Sequence, residues 1–146
     1  MDAEKTKINW SKKKVLLEVH KKQVRSILEF AIPVWASSIT VEESKQIERV
    51  QKCALSIILG AQYISYKYAI SNVQLETLEN RRKQQVLKFS QKALKHPKHK
   101  HWFVENVSKI HTRSHKTKFI QVNSNKHQLK KSPIAYMTDI LNNYNK

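Results

Sequence analysis

Apolar residues recur at helical spacing through most of the chain, and a few turn-forming residues cut the pattern into segments. Val15, Leu16, Val19, Val24, Ile27, Leu28 and Ala31 follow the rhythm of one helix face. They predict a helix from about Ser11, with Ala31-Ile32 as its last regular turn, because Pro33 cannot continue the hydrogen-bond ladder. Thr40-Val41-Glu42-Glu43 has the form of a capping box, in which the threonine hydroxyl accepts a free backbone N–H and Glu43 reaches back. The helix it opens should carry Ile47, Val50, Ala54, Ile57 and Ile58 on its apolar stripe. Cys53, beside that stripe, is expected as a small buried residue. Gly60, the only glycine in the chain, falls where this helix should stop. A left-handed C-terminal cap costs least at such a residue.

Tyr63 to Leu75 reads as a short aromatic-rich helix and a turn. Thr77 is placed to cap a third long helix through Arg81, Arg82, Val86, Phe89 and Ala93, ended by His96-Pro97. Trp102-Phe103 and Val107 suggest one short helix more. His111 to Lys131 is basic and poor in apolar residues, as in a flexible linker. Ser132-Pro133-Ile134-Ala135-Tyr136 starts a last helix with proline in its first turn and Met137, Ile140, Leu141 and Tyr144 on its apolar side. One glycine and three prolines in 146 residues argue against a β-rich fold. The expected fold is all-α, a small bundle of three main helices with shorter C-terminal helices. Residues 1–10 form a basic lead-in, 11–107 a helical domain, 108–131 a basic linker and 132–146 the final helix. Trp35, Ile47, Val50, Ile58, Leu78 and Phe89 are expected in one core, and Trp102 is assigned to the core as well.

Charge changes this picture from a generic helical domain to one with a polyanionic partner. The net charge is +17, and the isoelectric point is near 10.1. It is uneven, with +5 over residues 1–75 and +12 over residues 76–146. From Asn80 to Lys131 the only acid is Glu105. Nucleic acid is the usual partner of such a stretch. An anionic membrane fits less well, because the stretch lacks a clean apolar face. No uncharged apolar run is long enough to span a bilayer. The single cysteine, Cys53, excludes an internal disulfide framework, and an intracellular location, nuclear or cytoplasmic, is expected.

Candidate chemistry is sparse. Two-metal phosphoryl transfer needs clustered carboxylates. The only aspartates are Asp2 and Asp139, far apart in the sequence, so no catalytic residues are assigned and no polymerase or nuclease activity is expected. His96, His99, His101, His111 and His115 cluster, but with one distant cysteine they make a poor structural zinc site. They fit better as added positive charge and stacking surface along the basic stretch. No metal, cofactor or small-molecule ligand is expected. Arg81-Arg82 stands near a helix start, where cations are disfavoured by the helix dipole. The pair suits phosphate or an internal salt bridge to Glu48 or Glu79. Tyr63, Tyr66 and Tyr68 could stack on bases or serve as core.

The ordered blocks Val24-Arg25-Ser26-Ile27-Leu28-Glu29-Phe30, Trp35, Ile47-Glu48-Arg49-Val50-Gln51-Lys52, Ile57-Ile58-Leu59-Gly60 and Tyr63-x-x-Tyr66 are similar to those of one family. So are Leu75-x-x-Leu78-x-x-Arg81-Arg82, Phe89-Ser90-Gln91-Lys92-Ala93-Leu94-Lys95-His96-Pro97, Trp102-Phe103 and Ser132-Pro133-Ile134-Ala135-Tyr136. They resemble the region downstream of the catalytic palm in reverse transcriptases of non-LTR (jockey-like) retrotransposons, over about residues 10–144. His20 and Phe30 stand where that family has tyrosines. The resemblance implies a thumb-side element that grips an RNA/DNA hybrid or duplex backbone and leaves catalysis to a palm this sequence does not contain. The implied phosphate contacts are Arg25, Arg49, Lys52, Arg81, Arg82, Lys88, Lys92 and Lys95. Arg25 and Arg49 could instead pair with Glu29 and Glu48. A fragment of a mobile-element polyprotein is expected. The alternatives are a basic RNA- or DNA-binding module reused from such an element and a pseudogene product without function.

Overall fold

The computed structural model describes residues 2–106, 118–121 and 131–144, with side chains from residue 11 on. The chain is all-α. Among the described residues the one exception is an isolated antiparallel bridge between Glu105 and Phe119. Two compact units form, Met1–Phe30 with Thr40–Asn80, and Ala31–Ile39 with Arg81–Lys146.

In the first unit, α1 (Asp2–Val19) begins nine residues before the expected start, so the basic lead-in is helical. It runs through a π-helical turn, His20–Val24, into α2 (Arg25–Leu28). The Arg25 N–H donates to the His20 carbonyl, five residues back. The chain then breaks at Ala31, which takes a left-handed φ of 51°. Pro33 therefore does not end this helix. It falls in the first turn of α3 (Ile32–Trp35), where its missing N–H would have had no helical partner. The expected apolar face is corrected too. Val15, Leu16, Val19 and Ile27 are exposed, while His20, at 3 % exposure, and Arg25, at 6 %, are buried. Leu17 of α1 instead packs against the first unit's core, and the extra residue of the π turn shifts the register of whatever follows it. Arg25 tolerates burial because Glu29 lies one turn on, with Nε 3.4 Å from Oε1.

α4 (Val41–Leu59) opens on the expected capping box. Thr40 Oγ1 accepts from the Glu43 N–H at 3.2 Å, and the Thr40 N–H donates to Glu43 Oε2 at 2.8 Å. α4 packs against α1 and against α5 (Tyr66–Asn72). Its buried residues are Gln51, Leu55, Ile58 and Leu59. Val50 and Cys53 are exposed, and Ile57 is 77 % exposed. The expected stripe is thus rotated, and the cause is polar. Gln51 is completely buried. Its Nε2 donates to the Tyr66 hydroxyl and the Glu76 carbonyl, both at 3.0 Å. The Tyr66 hydroxyl in turn donates to Glu48. The Leu78 N–H, at the start of α6 (Leu78–Lys95), donates to Glu48 Oε2 at 3.1 Å. Gly60 ends α4 at φ 54°, ψ −125°, a backbone that disfavours any Cβ. Ser65 caps α5 and Thr77 caps α6 through their hydroxyls. Leu55, Leu59, Ala69 and Leu75 form the apolar core, with Leu17, Tyr63, Tyr66, Ile70 and Val73 against it.

Burial first, and then the hydrogen bond to Glu48, raise the Tyr66 pKa far above its ordinary value. Below about pH 10, the usual tyrosine value, Tyr66 is neutral folded and unfolded, and its stabilising contribution is complete. Above that, the unfolded chain ionises first, so stability falls as pH rises towards the folded value. In urea unfolding between about pH 9 and 11, the chain should lose stability at up to about 1.4 kcal/mol per pH unit more steeply than Tyr66→Phe. Parallel slopes would contradict the hydrogen-bonded placement.

The second unit contains α3, α6 from Arg81 on, the 3₁₀ turn Lys100–Trp102 and α7 (Pro133–Tyr144). Its core is Ile32, Ala36, Val86, Ala93, Phe103, Phe119, Met137 and Leu141, with Trp35 and Trp102 packed against it as expected. Phe119 lies inside the span read as a flexible linker, yet it is fully buried. The Phe119 N–H donates to Asn142 Oδ1 at 2.9 Å, and its carbonyl accepts from Asn142 Nδ2 at 3.0 Å. Beyond 118–121, only Lys131 of that span is described; 108–117, with His111 and His115, and 122–130 lie outside the described residues, as does Val107. The expected single core is corrected to two clusters. Ile58 and Leu78 are buried in the first unit, Trp35 packs in the second, and Val50 and Phe89 are about two-fifths exposed.

Candidate nucleic-acid interface

α6 from Arg81 on divides into two faces. Arg82, Val86, Ser90 and Ala93 are buried, spaced by four, four and three residues as one inward stripe requires. Arg81, Lys88, Lys92 and Lys95 are spaced by seven, four and three. At 100° per residue they fall within a sector of about 60° on another face, over about 21 Å of helix. Lys88, Lys92 and Lys95 are exposed, and Arg81 is half-buried. Three ammonium groups on one solvent-facing row can meet successive backbone phosphates, which repeat every ~3.4 Å of axis along one strand. Lys98 and Lys100 follow, both exposed. They were not among the residues singled out from the sequence, although the acid-free stretch contained them.

The adjacent pair separates. Arg82 is only 5 % exposed, so its reading as a phosphate contact is corrected to a side chain held on the inward face. Arg25 is corrected in the same way, and its pairing with Glu29 is the structural alternative realised. Arg49 and Lys52 are exposed on α4 in the first unit. Lys52 lies 5.6 Å from the centre of the Tyr66 ring, a cation–π arrangement. Glu48 is committed to Tyr66 and Leu78 rather than to Arg49.

Beyond α6 the histidines form an ordered group. The His96 and His99 rings stack with centroids 4.9 Å apart and planes inclined by 29°. The His99 and Trp102 rings lie 4.4 Å apart but tilted by 40°, and His101 meets the edge of Trp102 at 6.3 Å. His96 Nδ1 accepts the Lys98 N–H at 3.3 Å, which leaves Nε2 as the ring's protonated nitrogen when it is neutral. Tyr63 and Tyr66 serve the core, while Tyr68 is about half exposed. His20 is a different case. Its burial, and then the positive charge of Arg25, lower its pKa below the imidazole norm, so it adds no charge to a basic surface.

Among the described residues no three His, Cys, Asp or Glu side chains converge as a metal site. No described helix is long and apolar enough to cross a membrane. A mostly apolar cleft of about 490 Å³ in the first unit is lined by Lys13, Lys14, Leu17, Leu59, Val73 and Gln74, among others. The Lys13 ammonium donates to Gln62 Oε1 at 2.8 Å. No protein-family profile, curated protein or solved structure matches the chain.

Proposed function

We propose that the chain is a non-catalytic nucleic-acid-gripping element, the thumb-side region of a non-LTR retrotransposon reverse transcriptase. It holds the backbone of an RNA/DNA hybrid or duplex through the lysine row of α6. The observation that carries this reading is that row: Lys88, Lys92 and Lys95 share one exposed helix face in a stretch whose only acid is Glu105. Phosphate contact of this kind is sequence-independent and releases counterions. The ordered sequence blocks supply the family assignment, and the all-α architecture agrees with it.

The chain should bind hybrid and duplex with a log–log salt slope of about −3 to −7. Replacing Lys88, Lys92 and Lys95 by alanine should make that slope shallower by about 2–3. Replacing the exposed Lys12, Lys14 and Lys67 removes the same charge and should change it less. Equal losses in the two triple variants would reject a defined row in favour of bulk charge. A flat slope in the parent chain would reject nucleic acid as the partner.

A further inference from the structure

We infer that the stacked His96–His99 ring pair, backed by the tilted Trp102 ring, is a platform for an unpaired nucleobase at the end of a duplex whose backbone lies along Lys88, Lys92 and Lys95. The inference rests on the nucleic-acid reading above and adds to it a site for single-stranded chain.

The stack is built outward from the second unit's core. Trp102 packs against that core, half-buried His99 covers Trp102, and exposed His96 covers His99. The outermost ring is held in place. Its Nδ1 accepts the Lys98 N–H, and the His96 carbonyl accepts the N–H groups of His99 and Lys100, each at 3.0 Å. A flat ring already fixed loses little freedom when a base lies on it. His96 directly follows Lys95, the last member of the lysine row, so a backbone tracked along α6 arrives at the stack. The exposed Lys98 and Lys100 stand ready for the phosphates of the next nucleotides. Bases inside a duplex have both faces covered, so only a terminal or unpaired base has a face to offer. Every base has a π-face, so the platform tolerates any sequence.

The experiment measures binding of the full chain to a blunt RNA/DNA hybrid. The comparison probes are the same hybrid with a short 3′ or 5′ single-stranded extension, and with extensions of the same length made of abasic residues. One base-bearing extension should bind about tenfold tighter than its abasic equivalent, by a ratio nearly independent of salt. His96→Asn keeps an acceptor for the Lys98 N–H but removes the ring, and it should abolish the ratio. His96→Phe removes the acceptor but keeps a ring, and it should retain the ratio. Equal affinity for base-bearing and abasic extensions overturns the inference. So does a ratio that survives His96→Asn with helicity unchanged. Duplex binding with no preference for an extension overturns the platform alone, whereas failure to bind any probe overturns the lysine row with it.

Discussion

Glu48→Ala is expected to destabilise the first unit by about 2–6 kcal/mol. The Glu48 carboxylate accepts from the Tyr66 hydroxyl and from the Leu78 N–H, so it joins α4 to α5 and to the start of α6. The first N–H groups of a helix have no partner within it, and a negative charge there also opposes the positive end of the helix dipole. Alanine would strand both donors in a partly closed site, each at about 1–3 kcal/mol. The tyrosine oxygen would still accept from Gln51 Nε2, but its O–H would be left without an acceptor. Glu48→Gln retains an acceptor and should cost less than half as much. Urea unfolding followed by circular dichroism measures both, and a loss under about 1 kcal/mol for the alanine variant would show that the junction is not held by this carboxylate.

Arg25→Ala should cost about 3–5 kcal/mol. Arg25 and Glu29 have side chains 8 % and 11 % exposed. Removing the guanidinium leaves a carboxylate in a place with little water, which costs more than the pair itself contributes. The double variant Arg25→Met with Glu29→Leu should recover most of the loss, because apolar replacements of a buried ion pair are often neutral. A double-mutant cycle in which the two losses simply add would show that the charges act independently.

What the sequence disclosed, and what it hid, follows from range. The capping box at Thr40, the stop at Gly60, the cap of α6 and the proline at the start of α7 depend on neighbours within four residues, and all were legible. The rotation of α4 was not, because Gln51 is held by Tyr66 and Glu76, 15 and 25 positions away. A buried glutamine has no signature that distinguishes it from a surface one. The first helix misled for a related reason: periodicity assumes an unbroken helix, and the π turn at His20–Val24 breaks the count. In the candidate interface Lys88, Lys92 and Lys95 were named through the family resemblance, and which of the candidate cations share an exposed face was not legible. Arg81-Arg82 was not resolvable as a pair, since adjacent helical residues point about 100° apart and one of them had to turn towards the interior. The histidines were visible as a cluster, but their stacking depends on the turn at the end of α6, closed by the bonds from the His99 and Lys100 N–H groups to the His96 carbonyl.

The clasp between Phe119 and Asn142 has a consequence for the order of events during synthesis. Ile32, Ala36, Val86 and Ala93 belong to a core whose remaining members, Phe103, Phe119, Met137 and Leu141, emerge later. Forty-six residues separate Lys95 from Leu141, and at roughly 5–20 residues per second they take about 2–9 s to be added. The buried side chains of the first unit, from His20 to Leu78, are all made before that interval begins. For those seconds the apolar side of α6 waits uncovered beside its own lysines, whose mutual repulsion keeps nascent chains apart while the second core is incomplete.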